Sequence, residues 1–164
     1  MPDYGVPTDA ADALPWAWGE ERLARNRNYW VVTASAEGRP HALPVWGVWL
    51  ADPDRFWFSC SPNARKVRNI SENPLCAVAV DDTVECISVE GTARLADQAA
   101  DADADAIATM IASYLDKYWP DPVKHAEMEA FLRGHALIEV TPDRAFGIIE
   151  REEEFAQRAT RWRW

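Results

Sequence analysis

The chain has 164 residues, 48% of them hydrophobic, enough to bury the core of one ordinary domain. Its formal net charge is -10, from 27 Asp and Glu against 17 Lys and Arg, which excludes broad binding to a nucleic-acid backbone. Nine tryptophans supply large aromatic surfaces of the kind used in a core, an interface or against a flat ligand.

Residues 1–14 are polar and acidic and read as a loosely ordered lead-in, with neither the basic flank nor the apolar run of a signal peptide. Pro15 stands where a helix can start, and Trp16, Glu20, Glu21, Arg22 and Leu23 suit a short amphipathic helix to about Arg27. Tyr29 to Ala34 is β-branched and aromatic and reads as a strand. A Glu37-Gly38-Arg39-Pro40 turn leads into a second strand, His41 to Leu50. Pro44 and Gly47 within it predict a bulge or a close, flat neighbour. The run Ala42 to Ala51 falls short of the about 20 residues that a membrane-spanning helix needs.

Arg55 to Cys60 is the third strand. It breaks at Ser61-Pro62-Asn63 and presents Arg65, Lys66 and Arg68 on a short helix that ends at Asn73-Pro74. Cations at a strand-to-helix junction, beside a serine turn, can hold a phosphate; a solvated helix start is the plain alternative. Leu75 to Val80 and Val84 to Leu95 read as strands four and five. Ala99 to Trp119 is a helix whose Ile107, Ile111, Tyr114, Leu115 and Tyr118 form one apolar face, with Asp101, Asp103 and Asp105 suiting the dipole at its start. Lys124 to Arg133 is a shorter helix ended by Gly134. Ala136 to Thr141 and Arg144 to Glu150 read as strands six and seven, before a charged link and the tail at 155–164. The whole predicts one mainly β domain over 1–164: an antiparallel β-barrel of six to seven strands with peripheral helices.

No hydrolytic triad, metal-ligand spacing or glycine-rich phosphate loop can be drawn, so chemistry would be borrowed from a bound redox cofactor. His41, at a strand start, reads as exposed or locally bonded. Cys60, Cys76 and Cys86 lie in strands without close pairing, which fits reduced thiols in the cytoplasm.

In order and spacing, Arg65-Lys66, Asn69, Glu72-Asn73-Pro74 and Val89-Glu90-Gly91 resemble the pyridoxamine 5'-phosphate oxidase-like split-barrel family. GRPHALPVW after YWVVTA, and WFS before the basic turn, resemble its second and third strands. Tyr114-x-x-Lys117-Tyr118 and the terminal Thr160 to Trp164 are similar to members that use a deazaflavin. The likeness spans about residues 16 to 164 and rests on the ordered set, not on any one motif.

The resemblance implies an FMN-binding split-barrel-like fold and a homodimer with flavin or deazaflavin at the subunit interface. It places Arg65 and Lys66 on the cofactor phosphate, with Asn69 nearby. Ser59, Cys60 and Ser61 would lie along the ribityl chain, and Pro44, Val45 and Trp46 against the ring system. Arg161 and Trp162 would come from the tail, near the cofactor or the partner subunit. Cys86 falls where the phosphate oxidases carry a flavin-bonding glutamine, and their C-terminal Arg and His set is missing, so the resemblance does not extend to vitamin B6 oxidation. The expected function is hydride transfer from reduced coenzyme F-420 to an unsaturated small-molecule acceptor. An FMN oxidoreductase and a non-catalytic flavin, deazaflavin or haem binder are the alternatives. Trp46, Trp49 and Trp57 suit core or interface as well as ring contact, and Tyr114 and Tyr118 suit the core.

Overall fold

The computed structural model describes residues 13–154 and 158–164, so most of the predicted lead-in and part of the charged link lie outside it. Helix α1 (Trp16–Arg25) precedes strands β1 (Asn28–Ala34), β2 (Pro40–Ala51) and β3 (Asp54–Cys60). Helix α2 (Arg65–Glu72) leads to β4 (Leu75–Val80) and β5 (Glu85–Leu95). Helices α3 (Asp101–Tyr118) and α4 (His125–Arg133) follow, then β6 (Ala136–Ile149) and β7 (Thr160–Arg163).

The strand order is β3-β2-β1-β4-β5-β6, and β6 returns to pair with β3, which closes a six-stranded antiparallel barrel. Closure removes the free edges of an open sheet. β7 adds a seventh strand outside β6, so Thr160–Arg163 is an ordered part of the sheet. The β1–β2 connection turns at Gly38, whose φ of 81° lies in the left-handed region that glycine enters without steric cost.

Strands six and seven of the sequence reading are one strand. β6 runs unbroken through Pro142, because Glu90 pairs with Arg144 while Gly91 pairs with Pro142, leaving Asp143 as the extra residue of a bulge. A proline inside a sheet is tolerated at such a bulge. A Cβ on Gly91 would stand 2.1 Å from the Thr141 carbonyl oxygen, so the close approach of the two strands requires glycine there.

The predicted irregularity of β2 has a different cause. Its register is continuous through Gly47, with no bulge. A Cβ on Gly47 would meet the Phe56 ring at 2.3 Å and the Trp57 carbonyl at 2.8 Å, so the close, flat neighbour that demands glycine is an internal ring. β2 also changes partner along its length: 40–46 pair with β1, and only 47–51 pair with β3. Beside 40–46 the barrel wall therefore has a mouth.

Alternation sorts the side chains. Tyr29, Val31, Phe56, Phe58, Val78 and Ile138 fill the barrel. Trp57 points the other way, under the Ile107, Met110, Ile111 and Leu115 face of α3. Among the described residues, no helix is long and apolar enough to cross a membrane.

Candidate functional site

The mouth is where charge gathers. β3 ends at Cys60, and α2 begins four residues after Ser61 with no side chain capping it and no acid in its first turn. Arg65 and Lys66 therefore stand at the positive end of the helix dipole, where cations are unfavourable and an anion is stabilised. Lys66 is only 7% exposed, yet no carboxylate or hydrogen-bond acceptor among the described residues meets its ammonium. Arg65 and Arg68 beside it are exposed.

Two neighbours register this field. Burial, then Arg65 and Lys66, hold the His41 imidazole below its ordinary value. Burial pushes the Cys60 thiol up, an effect the Lys66 ammonium partly offsets. His41, Cys60, Arg65 and Lys66 thus share one electropositive corner of an acidic chain. Sequence reasoning left His41 out of the site. Its strand alternation places it on the same face as Val45, but only the departure of β3 from this half of β2 opens that face to α2.

Next to this corner, between β3 and the α3–α4 pair, lies a cavity of about 420 Å³. Trp46, Ser59, Cys60 and Ser61 form its near side; Tyr114 and Trp119 and the α4 side chains form its far side. Trp46 is held flat against Tyr118, with ring centroids 4.8 Å apart and planes 7° from parallel. Tyr118 in turn accepts the Gly47 amide at 2.9 Å and donates to the Arg27 carbonyl at 2.6 Å. Lys117 Nζ donates to the Ala24 and Gly47 carbonyls at 3.0 and 3.1 Å and to Tyr29 Oη at 2.7 Å. Burial, with Arg27 second, lowers Lys117 to about 8. The Tyr-x-x-Lys-Tyr motif is thus a clamp that fixes β2 behind Trp46.

The remaining sequence-predicted residues separate. Val45 turns its side chain into the barrel core, whereas Pro44 and Trp46 face outward. What 40–46 offer on the mouth side is backbone, since among the described residues no strand pairs with that edge. Asn69 is buried and donates to Thr33 Oγ1 at 2.9 Å, a bond that seats α2 on β1. Cys86 stands second in β5, opposite Ile148; burial raises its thiol, and its charged neighbours are Asp82 and Glu150. Arg161 and Trp162 lie on opposite faces of β7. Arg161 lines a second cavity of about 300 Å³ with Ser88, Glu90, Arg144 and Phe146. Trp162 packs edge-on to Trp16 at 5.5 Å and parallel to Trp18 at 6.4 Å.

The sequence matches the family described as pyridoxamine 5'-phosphate oxidase over residues 19–148. The chain belongs to the pyridoxamine 5'-phosphate oxidase family. Within the family's matched stretch fall β2, the cationic turn, α2 and the cavity; β7, with Arg161 and Trp162, lies beyond it. A search of curated proteins returns no match. Among solved structures, this family member resembles a conserved hypothetical protein of Mycobacterium tuberculosis (14% identity, TM-score 0.68, covering 88% of this chain and 91% of that one). It also resembles a pyridoxamine 5'-phosphate oxidase-related, FMN-binding protein of Nostoc punctiforme (18% identity, TM-score 0.63, covering 93% and 97%). A third is HutZ, the haem storage protein of Vibrio cholerae (17% identity, TM-score 0.59, covering 80% and 91%). At these identities the likeness is one of fold.

Proposed function

We propose that this family member is an oxidoreductase that binds a phosphate-bearing flavin-type cofactor, the deazaflavin coenzyme F-420, and delivers hydride to an unsaturated organic acceptor. The observation that carries the proposal is Lys66: a cation on an almost wholly buried side chain, its ammonium without a partner among the described residues, at an uncapped helix start, in a chain of net charge -10. A phosphate at the α2 N-terminus would pair with that ammonium and with the positive end of the helix dipole. Arg65 adds a planar fork suited to phosphate oxygens, and Lys66 a point charge.

The other assignments follow the geometry outward from that anchor. Ser59, Cys60 and Ser61 border the ribityl chain. The unpaired backbone edge of Pro44, Val45 and Trp46 faces the ring, with Trp46 held rigid by Tyr118. Asn69 acts through α2, which it seats on Thr33. A second copy of the chain completes the site, bringing Arg161 from its β7; Cys86 and Trp162 are assigned to that same subunit boundary, Cys86 in the place of the oxidases' glutamine. Bound deazaflavin supplies the hydride; the chain holds the phosphate, orients the ring and excludes water.

FMN is the second reading, favoured by the resemblance to the FMN-binding protein of Nostoc punctiforme. Titration of the purified protein with F-420 and, separately, FMN decides between them. Saturable binding of F-420 with none of FMN is the expected result; FMN alone would replace the cofactor, and neither would remove the proposal. Binding without hydride transfer to any acceptor would move the protein to a storage role, like that of the haem storage protein HutZ.

A further inference from the structure

The larger cavity has a chemistry that the anion corner does not explain. Its volume of about 420 Å³ is in the range that encloses a small molecule. Rings stand on several sides: Trp46, Tyr114 and Trp119 inside, Phe131 at the rim. Their planes are fixed by mutual contact, Trp119 edge-on to Trp46 at 5.8 Å and nearly parallel to Tyr114 at 6.2 Å. Trp46 and Phe131 remain 47% and 51% exposed, so large apolar surface is left open at one place. Contiguous exposed apolar surface of this kind marks a binding site.

No Asp, Glu, Lys or Arg lines the cavity. Its polar lining residues are Ser59, Cys60, Ser61, Tyr114 and His135. The His135 Nδ1 lies 2.7 Å from the Phe131 carbonyl and can only donate to it, which leaves Nε2 of the neutral ring as an acceptor. His135 also sits against Phe131, centroids 4.2 Å apart, so the acceptor is held at the aromatic rim.

We infer that this cavity between β3 and the α3–α4 pair binds an uncharged, flat, fused-ring compound carrying a hydroxyl donor for His135. Ser59 to Ser61 form one edge of the cavity and also run into the cationic turn, so such a compound would lie beside the cofactor as its acceptor. That last role rests on the function proposed above; the ligand class does not.

The test is calorimetric titration of the full chain with 2-naphthol, in parallel with 2-naphthalenesulfonate. One saturable site for 2-naphthol and none for the sulfonate is expected. Phe131→Ala, at a half-exposed rim position, should weaken 2-naphthol about fivefold to tenfold, the value of one aromatic pair. Met128→Asp, which places a charge in the wall without touching the barrel, should weaken it further. F-420 or FMN affinity should be unchanged in both variants. Absence of a 2-naphthol isotherm, equal or tighter binding of the sulfonate, or full affinity in both variants would overturn the inference. Competition between 2-naphthol and the cofactor would also overturn it, by making the cavity the cofactor's own seat. A 2-naphthol isotherm in a protein that binds neither cofactor would remove the proposed function and support the ligand class.

Discussion

Lys66 and Asn69 sit one turn apart on α2, and their burial has opposite meanings. Asn69 spends its amide on Thr33, so Asn69→Ala should cost about 1 kcal/mol of stability in urea denaturation, the worth of one hydrogen bond. Lys66 bonds to nothing described, so Lys66→Met should leave stability equal or higher. The same substitution, combined with Arg65→Ala, should weaken cofactor binding about a hundredfold to ten-thousandfold, since hydrogen bonds to charged groups contribute about 1.5–3 kcal/mol each. A double variant with native affinity would sink the phosphate assignment. Gly47 supplies a control for the fold. Gly47→Ala forces a methyl into the Phe56 ring and should cost about 1–3 kcal/mol by overpacking, read as a lower urea midpoint with unchanged slope.

At the scale of elements, the sequence shows where its motifs stand but not which distant elements they meet. The basic turn could be read because three cations in an acidic chain stand out without any knowledge of folding. Tyr114-x-x-Lys117-Tyr118 is equally visible, but its work depends on β2 arriving at Gly47, a contact 71 residues away in sequence that no local pattern encodes. His41 was illegible for the same reason. The sequence divides strands six and seven at Pro142-Asp143 because the bulge that accommodates proline is created by the partner strand at Gly91. The α3 clamp carries a pH signature. Lys117 titrates at about 8 in the folded chain against 10.5 unfolded. Between those values the unfolded chain binds the extra proton, so stability rises with pH there; below about 8 both states are protonated and the burial penalty stands in full. Tyr118, pushed up to about 12, acts in the opposite sense above its ordinary value of 10.0. The usable window is therefore pH 8 to 10. Across it the native protein should gain about 1 kcal/mol relative to Lys117→Met, a value discounted for partial exposure. Parallel stability curves for the two proteins would refute the clamp's titration.

Among the described residues, the fold leaves a second apolar face uncovered, away from the cavity rim. Five of the nine tryptophans (Trp16, Trp18, Trp49, Trp162 and Trp164) cluster where the chain ends meet, Trp57 is in the core, and Trp46 and Trp119 line the cavity. Trp30 remains, 45% exposed on the outer face of β1. Alternation puts it beside Pro44 of β2 and Ala79 of β4, with Leu75 of β4, 66% exposed, on the same face. A closed barrel does not need this surface for its own stability, and two copies that cover it would remove apolar area at about 25 cal/mol per Å². The cost is electrostatic, because each copy brings a charge of -10, so association should strengthen with salt. Sedimentation equilibrium should therefore give twice the chain mass, with a tighter dimer at high ionic strength. Trp30→Asp points outward, leaves the barrel core intact and should yield a folded monomer. If Arg161 of a second copy completes the cofactor site, that monomer should also bind cofactor more weakly than the native protein. A monomeric native protein would remove the homodimer, and a monomeric variant with native cofactor affinity would confine the site to one chain.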